Sequence, residues 1–302
     1  MNIEQFERMR TGQGFIAALD QSGGSTPTAL RLYGITEAEY SNENEMLDLV
    51  HKMRSRIMMS PVFTSDQILA VILFETTMKR RVDGLPTAEY LWRHKGIVPF
   101  LKIDDGLQAE SNGAQLMKPI NELSKRLDEA NSNGIFGTKM RSVIKLANAT
   151  GVSACVEQQF SVAEKVMSAD LVPIIEPEVD IKSSEKSWIE HLLKKSIMEH
   201  LDGLKSDQNV MLKLTLPDIA NFYLDLVHHP RVLRVAALSG GYPQLQATQL
   251  LVQNQGVIAS FSRALTEGLN VKQTDLEFDR VLEESLQKIC LASKREGKLK
   301  PA

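Results

Sequence analysis

The stretch Val210-Met211-Leu212-Lys213-Leu214-Thr215-Leu216 reads as a β-strand with a lysine at its centre. Side chains alternate between the two faces of a strand. Val210, Leu212, Leu214 and Leu216 share one face, and Met211, Lys213 and Thr215 share the other. The aliphatic face suits a covering layer of helices, so Lys213 is expected to point inward. A strand covered on both faces should be almost wholly apolar. Lys213 is therefore an anomaly, and both fold and chemistry can be read outward from it.

Seven further runs have strand character. They are Phe15–Asp20, Ile68–Phe74, Val98–Asp104, Gly137–Ile144, Leu171–Val179, Val232–Leu238 and Val257–Phe261. Helical patterns lie between them. Ser41–Met59 carries Met46, Leu49, Val50, Met53 and Ile57 at spacings of three and four, which is one apolar stripe. Lys182–Lys205 carries Trp188, Leu192, Leu193, Ile197 and Leu201, and Asp275–Ser293 carries Phe278, Val281, Leu282, Leu286 and Ile289. Strand and helix alternate to the end without a linker or a shift in composition. Eight such units predict an α/β fold of the TIM (β/α)₈ barrel type, one catalytic domain over residues 1–302. An open doubly wound sheet is the alternative, but no GxGxxG follows the first strand.

Five of the runs carry charges near their C-terminal ends, where barrel enzymes place their sites. Asp20 ends the first on the face of Ile16 and Ala18. Phe100, Lys102 and Asp104 share a face, as do Lys139 and Arg141, and Glu176 and Glu178 with Ile174. Buried charges cost several kcal/mol unless paired. Convergence of all five sets on one mouth is the functional reading. Structural ion pairs, or strands phased with their charges toward solvent, are the plain one.

The last two strands carry a different signal. Leu238-Ser239-Gly240-Gly241 follows the seventh, and Ser260-Phe261-Ser262-Arg263 closes the eighth. Barrels often hold phosphate with these two loops. Glycines let backbone N–H groups approach an anion, and Arg263 offers a planar fork of donors. An ordinary turn is the alternative for Gly240-Gly241.

Composition excludes several classes. The 302 residues carry a net charge of -3, which gives no basic footprint for nucleic acid. No apolar run approaches the ~18 residues of a membrane span. The start, MNIEQFERMR, lacks the apolar core of a signal peptide. Two cysteines, Cys155 and Cys290, fit a reduced cytoplasmic setting and no disulfide framework. The six histidines all fall outside the strand runs, so no metal and no other cofactor is expected.

The ordered motifs resemble the class I fructose-bisphosphate aldolases. Ala17-Ala18-Leu19-Asp20-Gln21-Ser22 is similar to the family's A-A-x-[ED]-S neighbourhood, and Val71-Ile72-Leu73-Phe74-Glu75-Thr76 to its V-I-L-F-x-E-T with one position closed up. Leu101-Lys102-Ile103-Asp104-Asp105-Gly106 resembles I-K-V-D-x-G, and Lys139-Met140-Arg141-Ser142-Val143-Ile144-Lys145 resembles K-W-R-x-V-L-K. Val172 to Glu178 is nearly V-P-I-V-E-P-E, Met211-Leu212-Lys213 falls on L-L-K-P, and Leu238 to Gly241 is identical to L-S-G-G. The likeness runs from Phe15 to about Leu265.

The resemblance implies a metal-independent lyase that splits a ketose bisphosphate into two triose phosphates. It makes Lys213 the Schiff-base lysine, Glu176 its proton shuttle and Asp20 the base for the C4 hydroxyl. Lys139 orients Glu176 and the substrate, and Glu178 belongs to the catalytic set. Ser239, Gly240, Gly241 and Arg263 would hold the C1 phosphate, and Ser22, Ser25, Lys102 and Arg141 the C6 phosphate. Turn and N-cap chemistry ahead of Thr28–Tyr33 is the alternative for Ser22 and Ser25. On chemical grounds, a free Lys213 amine calls for desolvation and a neighbouring cation such as Lys139. A shuttling Glu176 calls for a pKa moved toward neutrality. A sugar phosphate is the expected partner, and a homo-oligomer is allowed by the family.

The sequence also departs from the family. Gln21 stands where many relatives have glutamate, Met140 where they have tryptophan, and Ser262 where animal relatives have glycine. The end of the chain, Lys298 to Ala302, lacks the terminal tyrosine that animal relatives use in proton exchange on the enamine. Glu176, acting through water, is the expected substitute.

Overall fold

The computed structural model describes residues 2–294; the tail from Lys298 to Ala302 lies outside them. Among the described residues, eight parallel strands close into a barrel. They are β1 (Phe15–Leu19), β2 (Ile68–Leu73), β3 (Val98–Lys102), β4 (Gly137–Ile144), β5 (Val172–Val179), β6 (Val210–Thr215), β7 (Val232–Leu238) and β8 (Val257–Phe261). Each pairs with its neighbours in sequence order. The ring shuts through Ile16↔Ser260 between β1 and β8, and holds between β3 and β4 through Lys102↔Lys139. The α/β barrel expected from the sequence is thus the observed fold, and each predicted strand is present to within two residues at either end.

Alternation along the strands sorts their side chains into two apolar layers. Ala17, Val71, Leu101, Ile175, Leu212 and Leu214 face the surrounding helices. Ile16, Ala18, Ile72, Phe100, Ile174 and Met211 fill the barrel interior. Met211 and Lys213 share a strand face, so the interior position of Met211 fixes the inward phase of Lys213.

The N-terminal end of the barrel is plugged. Helix Ile3–Thr11 lies across it and buries Met9 among the interior residues. Arg234 of β7 donates from Nε to Met9 O at 2.8 Å and from Nη2 to Gly12 O at 2.7 Å. These carbonyls end the helix, where its dipole favours a cation. Burial pushes Arg234 down to about 10. A further fit is at Gly137, where a Cβ would lie 2.6 Å from the Phe100 ring and 2.2 Å from Val172 O.

One predicted helix face needs correcting. In helix Lys186–Asp202 the buried row is Ile189, Leu193, Ile197 and Leu201, while Trp188 is 72% exposed. Trp188 precedes that row by one residue, about 100° around the helix. No helix among the described residues is long and apolar enough to cross a membrane.

Candidate active site

A cavity of about 540 Å³ opens at the C-terminal ends of the strands. Every candidate catalytic or phosphate-binding residue read from the sequence lines it except Gly241. Gly241 follows Gly240 in the turn after β7 and faces an adjoining cavity that shares Arg263. Both glycines have positive φ, 60° and 111°. A Cβ on Gly240 would lie 2.7 Å from Ile181, and one on Gly241 3.3 Å from Arg263 Nη2. Glycine here permits both the left-handed turn and the close approach of the guanidinium.

The deepest charges form an alternating row. Lys213 Nζ lies 2.9 Å from Glu176 Oε1. Glu176 Oε2 lies 2.9 Å from Lys139 Nζ, an ion pair whose angles are not those of a hydrogen bond. Lys139 Nζ lies 2.7 Å from Asp20 Oδ2. All four residues are at least nine-tenths buried. Further out, Arg141 Nε donates to Glu178 Oε2 at 2.6 Å, and Lys102 Nζ pairs with Asp104 Oδ1 at 2.7 Å. Arg263 has no ion-pair partner among the described residues.

This arrangement amends the sequence reading in three ways. First, Glu176 is not poised near neutrality. Burial raises its carboxyl, but Lys139 and Lys213 outweigh that and hold it below the usual range. Second, a carboxylate stands between the two lysines, where a cation beside a cation was expected. Third, Ser25 turns its hydroxyl to Ser22, accepting from Ser22 N at 3.0 Å and donating to Ser22 O at 2.8 Å. The turn reading therefore describes Ser25, and its helix begins there rather than at Thr28.

The other charges respond to the same row. Burial alone would raise the Asp20 carboxyl, yet Lys139 and Lys213 hold it far below the carboxylate range. Burial opposes the charge of Lys139, but Asp20 and Glu176 prevail and lift its pKa well above that of a free lysine. For Arg141, Glu178 likewise outweighs burial and raises it.

Several supporting residues escaped the sequence reading. The ladder between β5 and β6 ends at Ile175↔Leu212. Beyond it Thr215 Oγ1 accepts from Val179 N at 2.9 Å and donates to Val179 O at 2.8 Å. This keeps the strands joined where Glu176 and Lys213 project into the cavity. Gln159, fully buried on helix Ala149–Ser168, accepts from Glu176 N at 2.8 Å and donates to Ser142 Oγ at 2.6 Å. Ser260 lines the cavity with a buried hydroxyl that has no hydrogen-bond partner among the described residues. Ser260 was legible: it shares the inward face of β8 with Ile258. Gln159 and Thr215 gave no signal, because each sits in an apolar pattern and its partner lies on another element.

Comparison with known proteins places the sequence in a family. The family model described as fructose-bisphosphate aldolase class-I matches residues 6–220. A protein named fructose-bisphosphate aldolase class 1 from Synechocystis sp. is 59% identical over 292 residues, spanning 97% of both chains. The chain belongs to the class I fructose-bisphosphate aldolase family. A member of that name from Porphyromonas gingivalis is 54% identical over 97% of this chain and 99% of its own. Among solved structures, the Plasmodium falciparum fructose-bisphosphate aldolase superposes with a TM-score of 0.72 at 19% identity, over 98% of this chain and 96% of that one. At that identity the structural likeness speaks to the barrel alone. The assignment of the family rests on the sequence matches.

Proposed function

We propose that this chain reversibly cleaves fructose 1,6-bisphosphate to dihydroxyacetone phosphate and glyceraldehyde 3-phosphate through an imine on Lys213. The observation that carries the reading is the row Lys213–Glu176–Lys139–Asp20, buried at the mouth of a closed barrel. Glu176 enters the cycle as a carboxylate with Oε1 2.9 Å from Lys213 Nζ, so its position suits it to relay protons to and from that nitrogen. The freed amine adds to the C2 carbonyl, and the carbinolamine loses water with Glu176 returning the proton. The resulting iminium is the electron sink.

Asp20, also ionised, then removes the C4 hydroxyl proton. As the C4 carbonyl forms, the C3–C4 bond breaks and its electrons move into the iminium to give an enamine. The aldehyde product leaves, the proton taken up by Asp20 is returned to C3 by way of Glu176 and water, and a further water hydrolyses the iminium to release the second triose phosphate from Lys213. Lys139 holds the two carboxylates ionised and in place, because it lies within 2.9 Å of both.

Two anchors fit the two phosphates. Arg263, free of carboxylates among the described residues, with Ser239, Gly240 and Gly241 suits the C1 phosphate. Ser22, Lys102 and Arg141 line the side suited to the C6 phosphate, where Ser25 holds the Ser22 turn. There Arg141 is shared with Glu178, which orients it. A cytoplasmic setting belongs to the same reading and agrees with two buried free thiols, Cys155 and Cys290.

Borohydride reduction in the presence of dihydroxyacetone phosphate tests the reading. Peptide mapping is expected to find the label on Lys213. Label on another lysine would overturn the assignment.

A further inference from the structure

Gln21 and Ser262 lie 241 residues apart and meet across the mouth, Gln21 Nε2 donating to Ser262 Oγ at 2.6 Å. They are two of the positions at which the sequence departs from the family pattern, and the structure couples them. The polarity of this hydrogen bond is fixed from behind by Arg54, on helix Glu43–Met59. Its guanidinium is fully buried and has no carboxylate in ion-pair range among the described residues. Nη2 donates to Gln21 O at 2.6 Å and reaches Gln21 Oε1 at 3.4 Å, and Nη1 donates to Thr77 Oγ1 at 2.8 Å. Burial pushes Arg54 down to about 10 against the opposing charge of Asp20. Such burial is costly, and packing alone gives no reason for it.

A guanidinium has donors and no acceptor. The Gln21 amide must therefore turn its oxygen toward Arg54 and its NH₂ toward Ser262. Ser262 Oγ is thereby an acceptor in this bond, and its single proton stays free. No acceptor takes that proton among the described residues. Ser262 lines the catalytic cavity with Ser239, Gly240 and Arg263.

We propose that the Ser262 hydroxyl donates to a substrate phosphate oxygen, and that Gln21, seated by Arg54, is the positioning residue that keeps this proton available. The proposal rests on reading the Arg263 loop as a phosphate site, and adds to it a donor and the device that orients the donor. It also gives a reason for an amide at position 21. A carboxylate there would still pair with Arg54, but it would draw the Ser262 proton to itself and away from the cavity.

Gln21→Glu is the discriminating variant. It preserves shape and supplies Arg54 with a counter-ion, so the thermal midpoint is expected to hold or rise. The KM for fructose 1,6-bisphosphate is expected to rise about tenfold or more, as for loss of a hydrogen bond to a charged group, with kcat falling less than threefold. Ser262→Ala should raise KM by a similar factor. Competitive inhibition by inorganic phosphate should weaken in parallel in both variants. In the Ser262→Ala background, Gln21→Glu should add less than it does alone, because no hydroxyl remains to be redirected. If either variant keeps its KM and its phosphate inhibition, the inference is overturned while Lys213 trapping in the wild type leaves the aldolase reading standing. If the wild type fails to trap at Lys213, that reading falls and takes this inference with it.

Discussion

The mouth and the floor of the barrel are built by the same strands, and they differ in nearly every side chain that faces inward. On β6 the floor has Met211 and the mouth Lys213. On β5 the step is from Ile174 to Glu176, and on β3 from Phe100 to Lys102. The first strand ends the same way, Ala18 giving place to Asp20. Two residues along a strand is about 7 Å. Within that distance the interior changes from an apolar plug sealed by Met9 to a row of alternating charges. Stability and chemistry are thus assigned to different layers of one interior, and each layer can be altered while the other is watched.

The largest expected effect comes from making the mouth resemble the floor. Lys213→Met repeats the residue one layer below it. Cleavage should fall by about four orders of magnitude or more, as when a covalent nucleophile is removed. Glu176 keeps Lys139 as a partner. The loss in unfolding free energy should therefore be smaller than the about 3–5 kcal/mol typical when a buried charge is left alone. Steady-state assays with urea unfolding of the same preparation measure both. A collapse of stability to match the activity would remove the division between layers.

The reverse experiment strikes the floor. Phe100 is fully buried and meets Phe136 edge to face, with centroids 5.4 Å apart. Phe100→Ala should cost about 3–5 kcal/mol of stability. Gly137, shaped to the Phe100 ring, leaves a void that its neighbours fill poorly. Turnover per folded molecule, assayed below the unfolding transition, should change by less than about threefold, since the substituted side chain lies one layer under Lys102. A loss of turnover as large as that of Lys213→Met would show that the floor sets the geometry of the mouth.

The same division explains how much could be read from the sequence. Lys213 was legible because strand alternation gives phase with no knowledge of the partner. Asp20, Lys139 and Glu176 were legible because a charge has no place in a doubly covered strand unless it serves a purpose. The plug was not legible: helix Ile3–Thr11 is short, and Met9 is a core residue only once the ring has closed beneath it. Arg54 was hidden in an otherwise regular amphipathic pattern, since its partners come from the segments that follow β1 and β2. Trp188 was assigned to a buried row one residue away, because helical spacing tolerates such a shift. The ionisation of Glu176 was missed for another reason. It depends on two lysines touching one carboxylate, and that is a matter of distance and not of residue type.

The smallest effect, and the finest test of the row, is its titration. Asp20 and Glu176 both have pKa values held below their ordinary ones, the lysines outweighing burial. Unfolding releases them to about 3.9 and 4.3. The unfolded chain then binds more protons in that range, so these groups add stability above it and lose that contribution as pH falls through their folded values. Lys139 has the opposite sense. Its raised pKa adds stability below about 10.4, which is lost only as pH climbs through its folded value. Between about pH 6 and 9 Asp20, Glu176 and Lys139 should therefore contribute no slope. Lys139→Met removes the cation shared by Asp20 and Glu176 and leaves two carboxylates facing a single lysine. Both carboxyls should rise, so the acid loss of stability should begin at higher pH than in the wild type, while Phe100→Ala should lower the whole curve without moving its acid edge. Urea midpoints from pH 3 to pH 9 for the three proteins separate these outcomes. An acid edge unmoved by Lys139→Met would mean that the lysine does not hold the carboxylates ionised, and the proton path through Glu176 would need another source of charge.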